Sequence, residues 1–207
     1  MPRQIDYYFS LNSPWAYIGH PVFMGVVARH QAKVNYKPVL LPSVFAETGG
    51  LPLPKRHPAR QRYRIRELQR WREKRGLKFN LHPKFWPFDV NIPDRFVIAI
   101  VLGGHNPDEF LRGAFATVWE AEQNLADPAT LVALADALGL PGATLIEAAK
   151  GEQTQSIYAQ TVHEAIAADV IGSPCYVLDG EVFWGQDRLE LLDDALASGR
   201  APYRADA

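Results

Sequence analysis

The chain has 207 residues, 47% of them apolar and 22% charged, with a formal net charge of −1. This suits one globular domain, or one domain carrying a large insertion, with enough chain to bury a core without covalent staples. The charge balance gives no global attraction to nucleic acid, one cysteine excludes an intrachain disulfide, and no apolar run reaches the length of a membrane span.

The first residues carry no basic segment followed by an apolar one, so a secretory leader is not expected and the expected location is the cytoplasm. Ile5–Leu11, rich in aromatic residues, reads as a buried strand. Ser13 follows it, and Pro14 suits the first position of a helix to about His30. The apolar face of that helix is drawn from Tyr17, Ile18, Val22, Val26 and Val27. Val34–Leu41 reads as a second strand, which gives a βαβ unit with a parallel strand pair.

From Val44 to about Ala168 the pattern is helical, broken by a loop over Glu47–Pro58. Ala59–Arg75 places Ile65, Leu68 and Trp71 at helical spacing and is stopped by Gly76. Further helices are expected over Asp94–Leu102, Asp108–Asn124, Pro128–Leu138, Ala143–Lys150 and Gln153–Ala168, the third of them capped by Asp127. Strands return at Cys175–Leu178 and Glu181–Trp184, joined by the hairpin signal Asp179-Gly180. Asp187 stands where the N-cap of a last helix, Arg188–Ala197, is expected. The order is β-α-β, a long helical stretch, then β-β-α.

Three motifs carry a resemblance. They are Ser13-Pro14-Trp15-Ala16-Tyr17 after the first strand, the run Trp86-Pro87-Phe88-Asp89, and Phe183-Trp184-Gly185-Gln186-Asp187-Arg188-Leu189. Together they resemble the 2-hydroxychromene-2-carboxylate isomerases, which sit with kappa-class glutathione transferases and DsbA-like proteins. The resemblance spans Ile5 to Leu196. It implies an α/β chain of thioredoxin-like fold with a large all-helical insertion between the βαβ and ββα halves. Residues 1–43 and 169–207 would form the thioredoxin-like part and 44–168 the insertion. It also implies glutathione as cofactor, a small aromatic carboxylate substrate, a homodimer, and interconversion of 2-hydroxychromene-2-carboxylate with trans-o-hydroxybenzylidenepyruvate. A kappa-like glutathione transferase and a non-catalytic glutathione-binding protein stand as alternatives.

The Cys-x-x-Cys of a redox site is replaced by Ser13-Pro14-Trp15-Ala16. A helix N-terminus offers free N–H groups and partial positive charge, so Ser13 can be a plain N-cap or can help to hold an anion. The resemblance implies the second role, with Ser13 donating to a glutathione thiolate as the catalytic residue. It also implies a cis Ser173-Pro174 bond, with the Ser173 backbone offered to glutathione as an added strand. Otherwise Pro174 simply ends an edge strand. Trp184, Gly185, Gln186 and Asp187 occupy the family's position for the γ-glutamyl end, where Asp187 can pair with the ammonium group. Cys175 reads as a small buried hydrophobe.

Phe45, Lys55, Arg56 and Asp89 fall at the family's substrate-contacting positions. Lys55 and Arg56 would hold a carboxylate. Phe45 stands where a relative has lysine, and Asp89 where many have asparagine. Residues 55–78 hold 11 of the 22 Lys and Arg, with Glu67 and Glu73 the only acids. Arg60 to Lys78 are read as the solvated coat of a helix and nucleic-acid binding is not expected, since no nucleic-acid motif accompanies them. The histidines show no metal-ligand spacing, and neither a metal nor a membrane partner is expected.

Overall fold

In a computed structural model, residues 2–205 are described. β1 (Gln4–Phe9) leads through α1 (Pro14–His30) to β2 (Lys33–Pro38). Seven helices follow: α2 (Leu41–Thr48), α3 (Pro58–Lys74), α4 (Asn91–Leu102), α5 (Asp108–Trp119), α6 (Pro128–Ala137), α7 (Gly142–Lys150) and α8 (Glu152–Ala167). β3 (Cys175–Leu178), β4 (Glu181–Trp184) and α9 (Leu189–Ser198) complete the chain, with short 3-10 turns at Leu53–Lys55 and Gln186–Arg188.

The sheet runs β2-β1-β3-β4. β1 pairs parallel with β2 and antiparallel with β3, and β3 pairs antiparallel with β4. This is the thioredoxin-like fold with a helical insertion between its two halves. The β3–β4 turn has Asp179 and Gly180 both at positive φ (52° and 87°), the backbone that an Asp-Gly hairpin requires.

Alternation along β1 sends successive side chains to opposite faces. Tyr7 and Phe9 go to the face covered by α1. The Tyr7 ring stacks 5.3 Å from Tyr176 and 4.6 Å from Phe9, and Phe23 of α1 lies 4.6 Å from Tyr176. Tyr8 goes to the other face, with Val39, Val44, Ala165 and Cys175. α4 is buried continuously from Pro93 to Ile100, the apolar run Phe96–Ile100 together with the charged Asp94 and Arg95.

Some boundaries differ from expectation. β2 ends at Pro38 rather than Leu41, because the chain turns into α2 at Leu41, with a proline in that helix's first turn. The stretch expected as a loop over Glu47–Pro58 holds the end of α2 and the turn Leu53–Lys55. α4 starts at Asn91, three residues before Asp94, and α5 ends at Trp119. Asp127 caps α6 through Ala129 N–H at 3.0 Å.

Candidate active site

Two loops meet at the end of the sheet: Ser10–Ser13 after β1 and Ser173-Pro174 before β3. The Ser13 N–H donates to Ser10 O at 2.9 Å, and the extended backbone of Ser13 lets its side chain cap α1 by accepting from Ala16 N–H at 3.2 Å. The Ser13 hydroxyl donates to the Ser173 carbonyl at 3.0 Å. The Ser10 N–H donates to Ser173 Oγ at 3.0 Å, so each loop fastens the other. The Ser173-Pro174 peptide is cis, as is Trp86-Pro87. Ser13 is 4% exposed and Ser173 8%.

The loop before Ser13 is held from behind by Trp86 and Phe88 of the second motif and by Asn12, Asp94 and Tyr158, whose part sequence reasoning missed. The Asn12 side chain donates to Phe88 O at 2.7 Å and accepts from Phe88 N–H, while Trp86 Nε1–H donates to Asn12 O at 2.9 Å. Leu11 N–H donates to Asp94 Oδ1, and the Tyr158 hydroxyl donates to Asp94 Oδ2 at 2.8 Å. Asp94 is fully buried, and burial pushes its carboxyl up to about 7 although both hydrogen bonds oppose this.

Beside Ser173 lies a pocket of about 360 Å³, within the range of about 300–1,000 Å³ usual for small ligands. Trp15, Ser173 and the run Trp184 to Arg188 form one wall, and Tyr63, Glu67 and Trp71 of α3 form the other. These last three recur every four residues on one helical face; sequence reasoning singles out Trp71 as an apolar helical position and Glu67 as one of two acids, but not the face they share with Tyr63. Gly185 sets the course of the wall. Its N–H donates to Pro174 O at 2.9 Å and its φ is 106°, and a Cβ there would lie 2.4 Å from Asp187 Oδ1. Gln186 is buried and accepts from Arg75.

Asp187 is not the N-cap of α9. Gly185 starts the 3-10 turn Gln186–Arg188, α9 begins after Arg188 without a side-chain cap, and Asp187 pairs with Arg188 at 2.8 Å. The positive φ at Gly185 advances the helical start and leaves the Asp187 carboxylate on the pocket wall.

None of the four residues expected to contact a substrate borders this pocket. Arg56 donates to Leu51 O at 2.7 Å, with its guanidinium 6.0 Å from the centre of the half-buried Phe45 ring. Lys55 is exposed at the end of a 3-10 turn. Asp89 is exposed, accepts from Asn91 N–H at 2.9 Å, and adds negative potential at Asp94. Cys175 is fully buried, and burial pushes its thiol up to about 12, which leaves it inert as a nucleophile. Among the described residues no helix is long and apolar enough to cross a membrane, and no group of acids, histidines and cysteines could hold a metal ion.

The fold and this pair of facing loops define a thioredoxin-type protein. The chain belongs to the family of the DSBA-like thioredoxin domain, whose profile matches residues 4–197. It is 24% identical over 197 residues to a 2-hydroxychromene-2-carboxylate isomerase of Sphingobium xenophagum, covering 95% of this chain and 99% of that one. It is 25% identical over 208 residues to glutathione S-transferase kappa 1 of Caenorhabditis elegans, covering 95% of this chain and 91% of that one. A solved structure of a 2-hydroxychromene-2-carboxylate isomerase superposes with a TM-score of 0.78 at 22% identity, over 94% of this chain and 95% of that chain.

Proposed function

We propose that this protein is a glutathione-dependent isomerase that interconverts 2-hydroxychromene-2-carboxylate-type acids with their trans-o-hydroxybenzylidenepyruvate isomers in aromatic degradation. The observation that carries the reading is the Ser13 hydroxyl at the N-terminus of α1, 3.0 Å from the Ser173 carbonyl, in a chain whose one thiol is buried elsewhere. Neither position 13 nor 16 is cysteine, so thiol chemistry here needs a thiol brought by a ligand. The names of the relatives support both the cofactor and the reaction.

The volume and polar lining of the pocket support glutathione as its ligand. Glu67 and Asp187 can meet the ammonium of its γ-glutamyl end, and the first N–H groups of the turn after Gly185 can meet the carboxylate. Bound glutathione would supply a thiol that adds to a carbon–carbon double bond of the substrate and leaves again, permitting rotation in between. The task of Ser13 is to hold the sulfur as thiolate. Its hydroxyl, which donates to the Ser173 carbonyl in this structure, could donate to the sulfur instead, and the α1 N-terminus would add positive potential. Ser173 and Pro174 would offer backbone to the cysteinyl part, and Trp184 would lie against the bound molecule. Phe45, Lys55, Arg56 and Asp89 would face the substrate. A cytoplasmic homodimer, and a division into a thioredoxin-like part (1–43 and 169–207) and an insertion (44–168), belong to the same proposal.

Turnover of 2-hydroxychromene-2-carboxylate that depends on glutathione, with total free thiol unchanged, is the expected result. Loss of one thiol per substrate would make the protein a kappa-like transferase, the second reading favoured by the similarity to that enzyme. Glutathione binding without turnover would make it a binding protein.

A further inference from the structure

The arginines at the start of α3 are not a uniform solvated coat. Arg64 is half-buried, with its guanidinium carbon 5.2 Å from the centre of the Trp86 ring. That indole donates through Nε1 to Asn12 O, so the ring under Arg64 also holds the loop that ends in Ser13. Arg56 lies over Phe45 and is close enough for its charge to act on Arg64, and Arg60 in turn acts on Arg56. Among the described residues no acid offsets either charge. Glu67, one turn beyond Arg64, is engaged by Arg70.

A guanidinium taken partly from water, repelled by a like charge and without a carboxylate partner, is costly to keep. Burial, with Arg56 adding to it, holds the Arg64 guanidinium down at about 10. A second anionic partner would relieve both effects. A guanidinium matches a carboxylate in a two-bond fork, and a flat ring can lie along the aromatic surfaces of Phe45 and Trp86.

We propose that Arg64, with Arg56, is the anion-binding end of the substrate site and takes the carboxylate of a planar unsaturated or aromatic acid beside the Ser13 loop. Calling that acid a substrate rests on the function proposed above; the binding itself does not. Arg64 then takes the role that sequence reasoning gave to Lys55, which is exposed at the end of its 3-10 turn.

The test is equilibrium binding of trans-cinnamate and of uncharged trans-cinnamamide to wild type, Arg64→Met, Arg56→Met, and the exposed-arginine control Arg66→Met. Cinnamate should bind wild type and weaken by about ten-fold or more in Arg64→Met, less in Arg56→Met and little in Arg66→Met, with the amide indifferent to all three. Equal cinnamate affinity in wild type and Arg64→Met overturns the proposal. So does a wild type that does not prefer the acid to the amide, or an equal loss for both ligands. If Arg64→Met melts early, Arg64→Lys decides instead: selective weakening of cinnamate supports the fork, and none overturns it. Glutathione binding is measured on the same samples. Its absence beside intact cinnamate selectivity would sink the glutathione reading and leave the anion site standing.

Discussion

The Leu11 N–H donates to Asp94 Oδ1 at 3.2 Å, which fastens a buried carboxyl group of α4 to the loop that delivers Ser13. The group's ordinary value is 3.8, and in the native protein burial raises it to about 7, with Asp89 adding to the rise. Between those values the native state holds a proton that the unfolded chain has released. Stability therefore falls as pH climbs from about 4 to about 7 and levels off above that, by on the order of 4 kcal/mol across the window. Asp94→Asn keeps an acceptor for Leu11 and removes the titration. Urea unfolding midpoints at about pH 5 and about pH 8 should differ in wild type and lose this component in the variant. A variant with the wild-type difference would show that Asp94 does not titrate there.

Ser13→Ala removes both the cap on α1 and the proposed donor to sulfur. Stability should fall by about 1 kcal/mol. Glutathione should still bind, while its thiol ionises at higher pH, read from the thiolate ultraviolet absorbance of the complex. An unchanged thiol titration would take Ser13 out of the chemistry and leave it a cap.

Ser13→Cys should convert the site to covalent capture. With oxidised glutathione, the new thiolate at the α1 N-terminus attacks the disulfide, forms a protein–glutathione mixed disulfide and releases reduced glutathione. Intact-mass measurement should show one glutathionyl group per chain. Wild type, whose single thiol Cys175 is buried, should show none.

Asp187→Ala should leave thermal unfolding nearly unchanged, because the side chain caps no helix and pairs only with its exposed neighbour Arg188. Glutathione affinity should fall by about ten-fold, as expected for one charge-assisted hydrogen bond. Gly185→Ala should lower both. Its φ of 106°, a backbone that side chains rarely adopt, imposes strain of about 1–3 kcal/mol, and a methyl there also displaces the Asp187 carboxylate, so stability falls as well as affinity. Equal melting of Gly185→Ala and wild type would contradict the strain at this turn.

What the sequence could disclose was whatever depends on neighbours along the chain. Ser13 and Asp127 are readable as caps because the N–H groups they satisfy lie two or three residues on. Asp179-Gly180 is readable because the hairpin demands that backbone. The misreadings come from distance and from backbone sign. Asp187 looks like a cap until Gly185, at positive φ, starts the turn earlier. Asp94 looks like an acid in an exposed first turn, but Leu11 and Tyr158, 83 and 64 residues away, enclose it. Arg64 looks like one of many helix-surface arginines, because the ring beneath it comes from the segment after α3. That Phe45 and Arg56 meet away from the pocket at Trp184 was likewise invisible, because no motif in the sequence spans both places.

β1 lies between β2 and β3, and Ser13 meets Ser173 across 160 residues of chain. On the ribosome β1, α1 and β2 emerge together, whereas β3 appears only after all the helices between. Until then β1 offers a bare edge of unpaired N–H and C=O groups beside its aromatic side chains Tyr7, Tyr8 and Phe9. A chain that stalls or is cut before Ser173 therefore carries an adhesive strand and no Ser173 carbonyl for Ser13. Fragments of this kind should self-associate, and the helices have to hold the first half of the sheet in place until its last two strands arrive.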